Sequence, residues 1–136
     1  MPSFNHFSDI AKALTPLLHT AVTNTAKGIV SDFSANCAYD TGFMSESGYV
    51  VTSDESTYGQ GMEPIREGAH LLPEVEAPAD ETTSIVAVGA NYTAFVELGT
   101  RFQSAQPAFY PAVDRSIPTF EVELNKVVIE LEARFG

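Results

Sequence analysis

The sequence predicts an α+β domain: an N-terminal helix, an antiparallel-type sheet with a long acidic arm, a short helix, and a C-terminal amphipathic helix packed on the sheet. Three observations predict it. Apolar residues recur every three or four positions from Phe4 to Phe33 and again from Phe120 to Phe135. Two short runs rich in β-formers, 47–52 and 84–89, lie between them. The helices flank the strands instead of alternating with them. At 136 residues and 44% apolar composition the chain is read as one domain, 1–136, with enough apolar surface for a packed core.

The elements follow in order. Phe4, Phe7, Ile10, Leu14, Leu17, Leu18, Ala21, Val22, Ile29 and Phe33 form the first helical stripe. Pro16 is expected to kink or split that helix, because it lacks an N–H and clashes with the preceding turn. Asp40, Thr41 and Gly42 spell a turn in which Gly42 takes positive φ. Residues 47–52 read SGYVVT, a strand. Residues 53–83 carry six Gly and Pro residues, and from Asp40 to Glu81 ten acids face one base, Arg66. That stretch reads as an acidic loop or hairpin arm, too polar for much core, with a weak strand near 69–72. Residues 84–89, SIVAVG, form the best strand. They are apolar on both faces, so both faces are expected to be covered and the strand central in its sheet. Asn91 is placed to cap a helical turn through Tyr92, Phe95 and Val96 that Gly99 ends. Pro107 and Pro111 bracket a rigid entry to the last helix, which Pro118 interrupts and which carries Phe120, Leu124, Val127, Val128, Leu131 and Phe135 on one stripe.

Charge excludes several functions. Eighteen acids against seven bases give −11, the opposite of the basic footprint that nucleic acid or anionic lipid requires. Cys37 is alone, so no internal disulfide forms. The first residues lack the basic and apolar regions of a signal peptide, and no apolar run spans a bilayer. The sequon at Asn91 reads as chance. Chemistry-bearing patterns are missing too. His6, His19 and His70 are far apart in sequence, and Cys37 has no neighbouring histidine. There is no GxSxG elbow, and Gly59-Gln60-Gly61 lacks the strand-to-helix context of a nucleotide fingerprint. The spacing of Asp54, Glu55, Glu63 and Glu67 does not fit an EF-hand loop, and Glu74 and Glu76 read as solvated. No catalytic, cofactor-binding or metal-ligating residue is assigned.

One segment carries a more specific pattern. Residues 86–112 read VAVGANYTAFVELGTRFQSAQPAFYPA: a Tyr-led turn, then Val96-Glu97-Leu98-Gly99-Thr100, then Gln106-Pro107, then Pro111-Ala112. Upstream stands Asp40-Thr41-Gly42-Phe43-Met44-Ser45-Glu46-Ser47. In this order the two motifs resemble the small tail-completion or head–tail joining (neck) proteins of long-tailed bacteriophages. Those proteins typically show a Tyr-Ala-x-x-Val-Glu-Phe-Gly-Thr run, then Gln-Pro-Phe and Pro-Ala, after an Asp-Thr-Gly-x-Leu-x-x-Ser turn. This chain departs in having Leu98 for Phe, Met44 for Leu, and Phe109 one position late. It also has Phe43 and Glu46 where basic residues are common, and an idiosyncratic 53–83 stretch.

The resemblance implies a non-enzymatic virion protein, made in the bacterial cytoplasm and placed at the neck or the top of the tail. It implies a homo-oligomeric ring, six-fold like the tail tube, contacting head-completion or stopper proteins and tail-tube or tail-terminator proteins. DNA would pass through without specific binding, and an acidic wall would repel its phosphates. Glu97, Gly99, Thr100, Arg101, Phe102, Gln106, Pro107, Phe109 and Tyr110 are the expected assembly residues. Phe102, Phe109 and Tyr110 would be presented on a rigid loop, and Glu97 would pair with Arg101 within the chain or across a subunit boundary. Asp54, Glu55, Glu63, Glu67, Glu74 and Glu76 would line the lumen or reach a neighbouring ring. A tail terminator capping the tube is the alternative within the family. A ligand- or metal-binding α+β domain is the alternative outside it.

Overall fold

A computed structural model describes residues 4–37, 42–64 and 67–136, with side chains from Phe7 onward. The element order is α1 (Phe4–Asn36), α2 (Phe43–Glu46), β1 (Gly48–Val51), β2 (Ile85–Val88), α3 (Thr93–Leu98) and α4 (Phe109–Phe135). This is an α+β fold with a two-stranded antiparallel sheet, Gly48 opposite Val88 and Val51 opposite Ile85.

Two long helices frame the molecule. α1 runs unbroken through Pro16, against the expected split. Pro16 removes one hydrogen bond, to the carbonyl of Lys12. Both residues are exposed, so water can donate to that carbonyl in place of the missing N–H. Pro118 within α4 repeats the arrangement, with Asp114 and Pro118 both exposed. α4 lies mainly along α1 and meets β2 through its first turns. Arg115 of α4 donates to both carboxylate oxygens of Asp32 on α1, at 2.8 and 2.5 Å. The expected α4 stripe is half-buried or buried except at Val128, which is exposed.

The sheet has a core on each face, as the apolar character of β2 required. On one face Ile29 and Phe33 of α1, with Cys37 just past its end, meet Phe43, Met44, Ala90, Ala108 and Ala112, with Val86 and Val88 against them. Phe33 and Phe109 meet edge to face, ring centres 6.2 Å apart. On the other face Tyr49, Val51 and Met62 pack with Tyr58, Leu71, Val75 and Ala87. This second cluster corrects the reading of residues 53–83 as too polar for core. The stretch does not stand away as an arm. Its few apolar residues return over the sheet, held where Tyr58 Oη donates to the Leu72 carbonyl at 2.7 Å and Val75 N–H donates to Tyr49 Oη at 3.1 Å. The strand expected near 69–72 reduces to one bridge, Leu71 with Ala90.

β2 is not central. Among the described residues it pairs as a strand with β1 alone, so both strands are edges. Asn91 does not cap α3 either. Its side chain accepts from His70 N–H at 3.0 Å and donates to the Gly68 carbonyl at 3.1 Å, tying the incoming loop to the end of β2.

Candidate functional site

The stretch that carries the family-like motif builds one corner of the molecule. α3 is only six residues long, and Gly99 ends it with φ 80° while its N–H donates to the Phe95 carbonyl at 2.9 Å. A Cβ at Gly99 would stand 2.7 Å from the Ala105 nitrogen, so the position needs glycine for both conformation and space. The chain then turns through Thr100, whose N–H donates to the Gln103 carbonyl and whose hydroxyl accepts from Phe102 N–H. Gln106 N–H donates to the Val96 carbonyl at 2.8 Å, which fastens the loop back onto α3. Pro107 then leads into α4.

Glu97 explains why this corner is rigid. It is 6% exposed, and its carboxylate accepts from the backbone N–H groups of Ala108, Phe109 and Tyr110 at 2.8, 3.0 and 3.0 Å. Those are the first donors of α4, whose N-cap residue, Ala108, offers no side-chain acceptor. Pro111 has no N–H to satisfy, and Ala112 N–H begins the helical ladder at the Ala108 carbonyl. One carboxylate therefore completes a helix start eleven residues away, where the helix dipole favours negative charge. Burial alone would raise the Glu97 pKa, but the three N–H groups outweigh it and hold the carboxyl below its ordinary value. Within the chain, then, the Glu97 carboxylate serves the start of α4 and not Arg101. The guanidinium of Arg101 lies instead over the Phe102 ring, 4.6 Å from its centre.

On this frame sits an apolar surface. Phe102 is 84% exposed, Leu98 70%, Phe95 64% and Tyr110 61%. Leu98, Tyr110 and Leu72 border an open cavity of about 340 Å³ beside Val86 and Val88. Of the three aromatics expected to face a partner, Phe102 and Tyr110 are exposed. Phe109 turns inward to Phe33, because its position at the start of α4 faces the core. Phe95 and Leu98 join the surface without having been expected there. Their only signal in the sequence is the shortness of α3: a helix of so few turns, whose Tyr92 and Val96 already pack inward, leaves its third and sixth residues outside.

The remaining expected residues are scattered. Asp40 and Thr41 lie outside the described residues; Gly42 opens α2 at φ 84°, as the turn reading required. Asp54 is 3.4 Å from His19 Nε2, and Glu55 3.1 Å from Lys27 Nζ, so both fasten the 53–83 stretch to α1. Glu74 accepts from Ser56 Oγ at 2.7 Å. Glu63, Glu67 and Glu76 are exposed. Among the described residues no group of three or more histidine, cysteine or acidic side chains is placed to hold a metal ion. Cys37 is buried, and desolvation first, then the Glu97 charge, pushes its thiol up to about 11, far from the reactive thiolate range. No helix among the described residues is long and apolar enough to cross a membrane. Compared with family models, curated proteins and solved structures, the chain matches none.

Proposed function

We propose that this protein is a structural assembly component of a phage neck: a ring-forming protein that completes the tail and joins it to the head. The observation that carries the reading is the exposed apolar corner made by Phe95, Leu98, Phe102 and Tyr110. Four large apolar side chains exposed within sixteen residues of chain, two of them bordering one cavity, suit a protein–protein contact. Full burial of each is worth about 1.5–3 kcal/mol, and the Glu97 cap and the Gln106–Val96 bond hold the loop before binding, which lowers the ordering cost. The same residues lie within the segment that resembles the neck proteins. On this reading a second copy covers the corner, and a contact between unlike surfaces closes a ring. The acid excess, with Glu63, Glu67 and Glu76 exposed, keeps DNA from adhering as it passes.

Electron microscopy of a lysate from a phage or prophage lacking the gene tests this. The expected result is DNA-filled heads beside unattached tails of normal length. Over-long tails would make the protein a terminator, and intact infectious particles would overturn the assembly role.

A further inference from the structure

The two edges of the sheet are unlike. In the antiparallel register, Gly89 N–H donates to the Ser47 carbonyl at 2.8 Å and Ala87 and Ile85 face Tyr49 and Val51. Hydrogen-bonded positions alternate along a strand, so the N–H and C=O groups of Val50 on β1, and of Val86 and Val88 on β2, point away from the partner strand. On β1 that edge is closed. Val50 N–H donates to Thr57 Oγ1 and its carbonyl accepts from Thr57 N–H, both at 3.0 Å, while Thr52 N–H donates to the Glu55 carbonyl at 2.8 Å. On β2 only the far end is closed, where Leu72 N–H donates to the Gly89 carbonyl and Asn91 N–H to the His70 carbonyl. Among the described residues nothing bonds the outward groups of Val86 and Val88.

The space beside them is shaped for side chains. The 340 Å³ cavity and a second of about 490 Å³ both include Val86. Both also touch the first half of α4, at Tyr110 in the smaller and at Val113 and Ile117 in the larger; α3 completes the smaller and α1 the larger. An open row of backbone donors and acceptors beside an apolar trough fits one kind of ligand, an extended polypeptide added as a strand.

We infer that the outer edge of β2 receives an extended segment of a different protein, apolar at alternate positions and flanked by lysine or arginine. Two observations choose this occupant. A second copy cannot continue the sheet through its β1, because the 52–57 turn already fills that edge. Pairing β2 with β2 of a second copy would set like carboxylates together along the edge, Glu121 in each trough and Asp80 beside Thr82 at its end. Those carboxylates match basic flanks instead. The inference rests on the strand edge and its trough and does not depend on ring formation.

The probe is a labelled octapeptide of alternating valine and threonine between terminal lysines, added to the full chain. Fluorescence anisotropy and amide hydrogen exchange by NMR read the result. Expected are saturable binding and at least about tenfold slower exchange at Val86 and Val88. N-methylating the peptide amides that face β2 is expected to weaken binding at least about tenfold, while methylating the alternate amides leaves it unchanged. Replacing the lysines by glutamates weakens it similarly. Val86→Pro, which removes an outward N–H at an edge position, has the same effect as edge methylation; should that variant not fold, the methylated peptides decide the same question on the native chain. No saturation at about millimolar peptide overturns the proposal. So does equal binding of both methylated peptides. Concentration-dependent protection of Val86 without peptide would make a second copy the occupant and also overturn it.

Discussion

Glu97 shows how much one side chain does here. Its carboxylate holds the start of α4 and fixes the loop between α3 and α4, so its removal is expected to act on folding before it acts on any partner. Glu97→Ala leaves three buried or half-buried N–H groups without an acceptor and is expected to cost roughly 2–4 kcal/mol in urea unfolding. Glu97→Gln keeps the shape but loses the charge and one acceptor, and should cost about half as much. The pH dependence has a definite sign. The folded-state pKa lies below the ordinary value, so the stabilisation is complete above the unfolded pKa and is lost as pH falls through the folded one. The stability gap between the native protein and Glu97→Gln should therefore be widest at neutral pH and shrink towards pH ~3. A gap that stays constant with pH would show that the charge is not what matters. Gly99 is the second sensitive residue. Gly99→Val meets both a φ of 80° and a backbone nitrogen 2.7 Å from its Cβ, and it is expected to lower the melting temperature by at least about 8 °C. An unchanged melting curve would remove the requirement for glycine there.

Among the elements, the 53–83 stretch departs furthest from its sequence pattern. Met62 lies in the buried core under it, so Met62→Ala is expected to cost about 2–5 kcal/mol. It should also speed limited proteolysis within 53–83 relative to α1 and α4. Proteolysis unchanged by the substitution would show the stretch to be held by its polar contacts alone. That packing is not legible in the sequence. Tyr58, Met62, Leu71 and Val75 follow neither a helical nor a strand period, and their acidic surroundings hide that they share one face. The helices are legible because a periodic stripe survives any tertiary arrangement; so are β1, β2 and the end of α3 at Gly99. Three features escape for one common reason, that they depend on surroundings the local sequence does not contain. The cap on α4 comes from Glu97 and not from Ala108. Asn91 serves the loop at His70 in place of α3. Pro16 is tolerated because its turn faces water. Within residues 86–112, the sequence marks Phe102 and Tyr110 as surface residues but also Phe109, because nothing local says which side of a helix start meets Phe33.

At the scale of the whole molecule a pair of substitutions asks whether two parts of the motif do different work. Leu98 and Phe102 are 70% and 84% exposed, so Leu98→Ser with Phe102→Ser removes little that the monomer uses. Such surface changes shift stability by about 0.5 kcal/mol at most each, and the melting temperature should move by no more than a few degrees, on the order of 5 °C together. If the apolar corner is where the protein meets its neighbours, the double variant supplied to a gene-deleted phage should fail to restore joined particles although it is soluble and folded. Phe109→Ala is the contrast. That ring packs edge to face on Phe33 inside the core, so its loss should cost about 3–5 kcal/mol and reduce the yield of folded protein itself. Failure of both variants by unfolding would make the whole motif structural. Restoration of joined particles by the double serine variant would move the assembly surface elsewhere on the molecule. Only a folded, soluble and inactive double variant beside an unstable Phe109→Ala places recognition at Leu98 and Phe102 and stability at Phe109, with the Glu97 cap holding both.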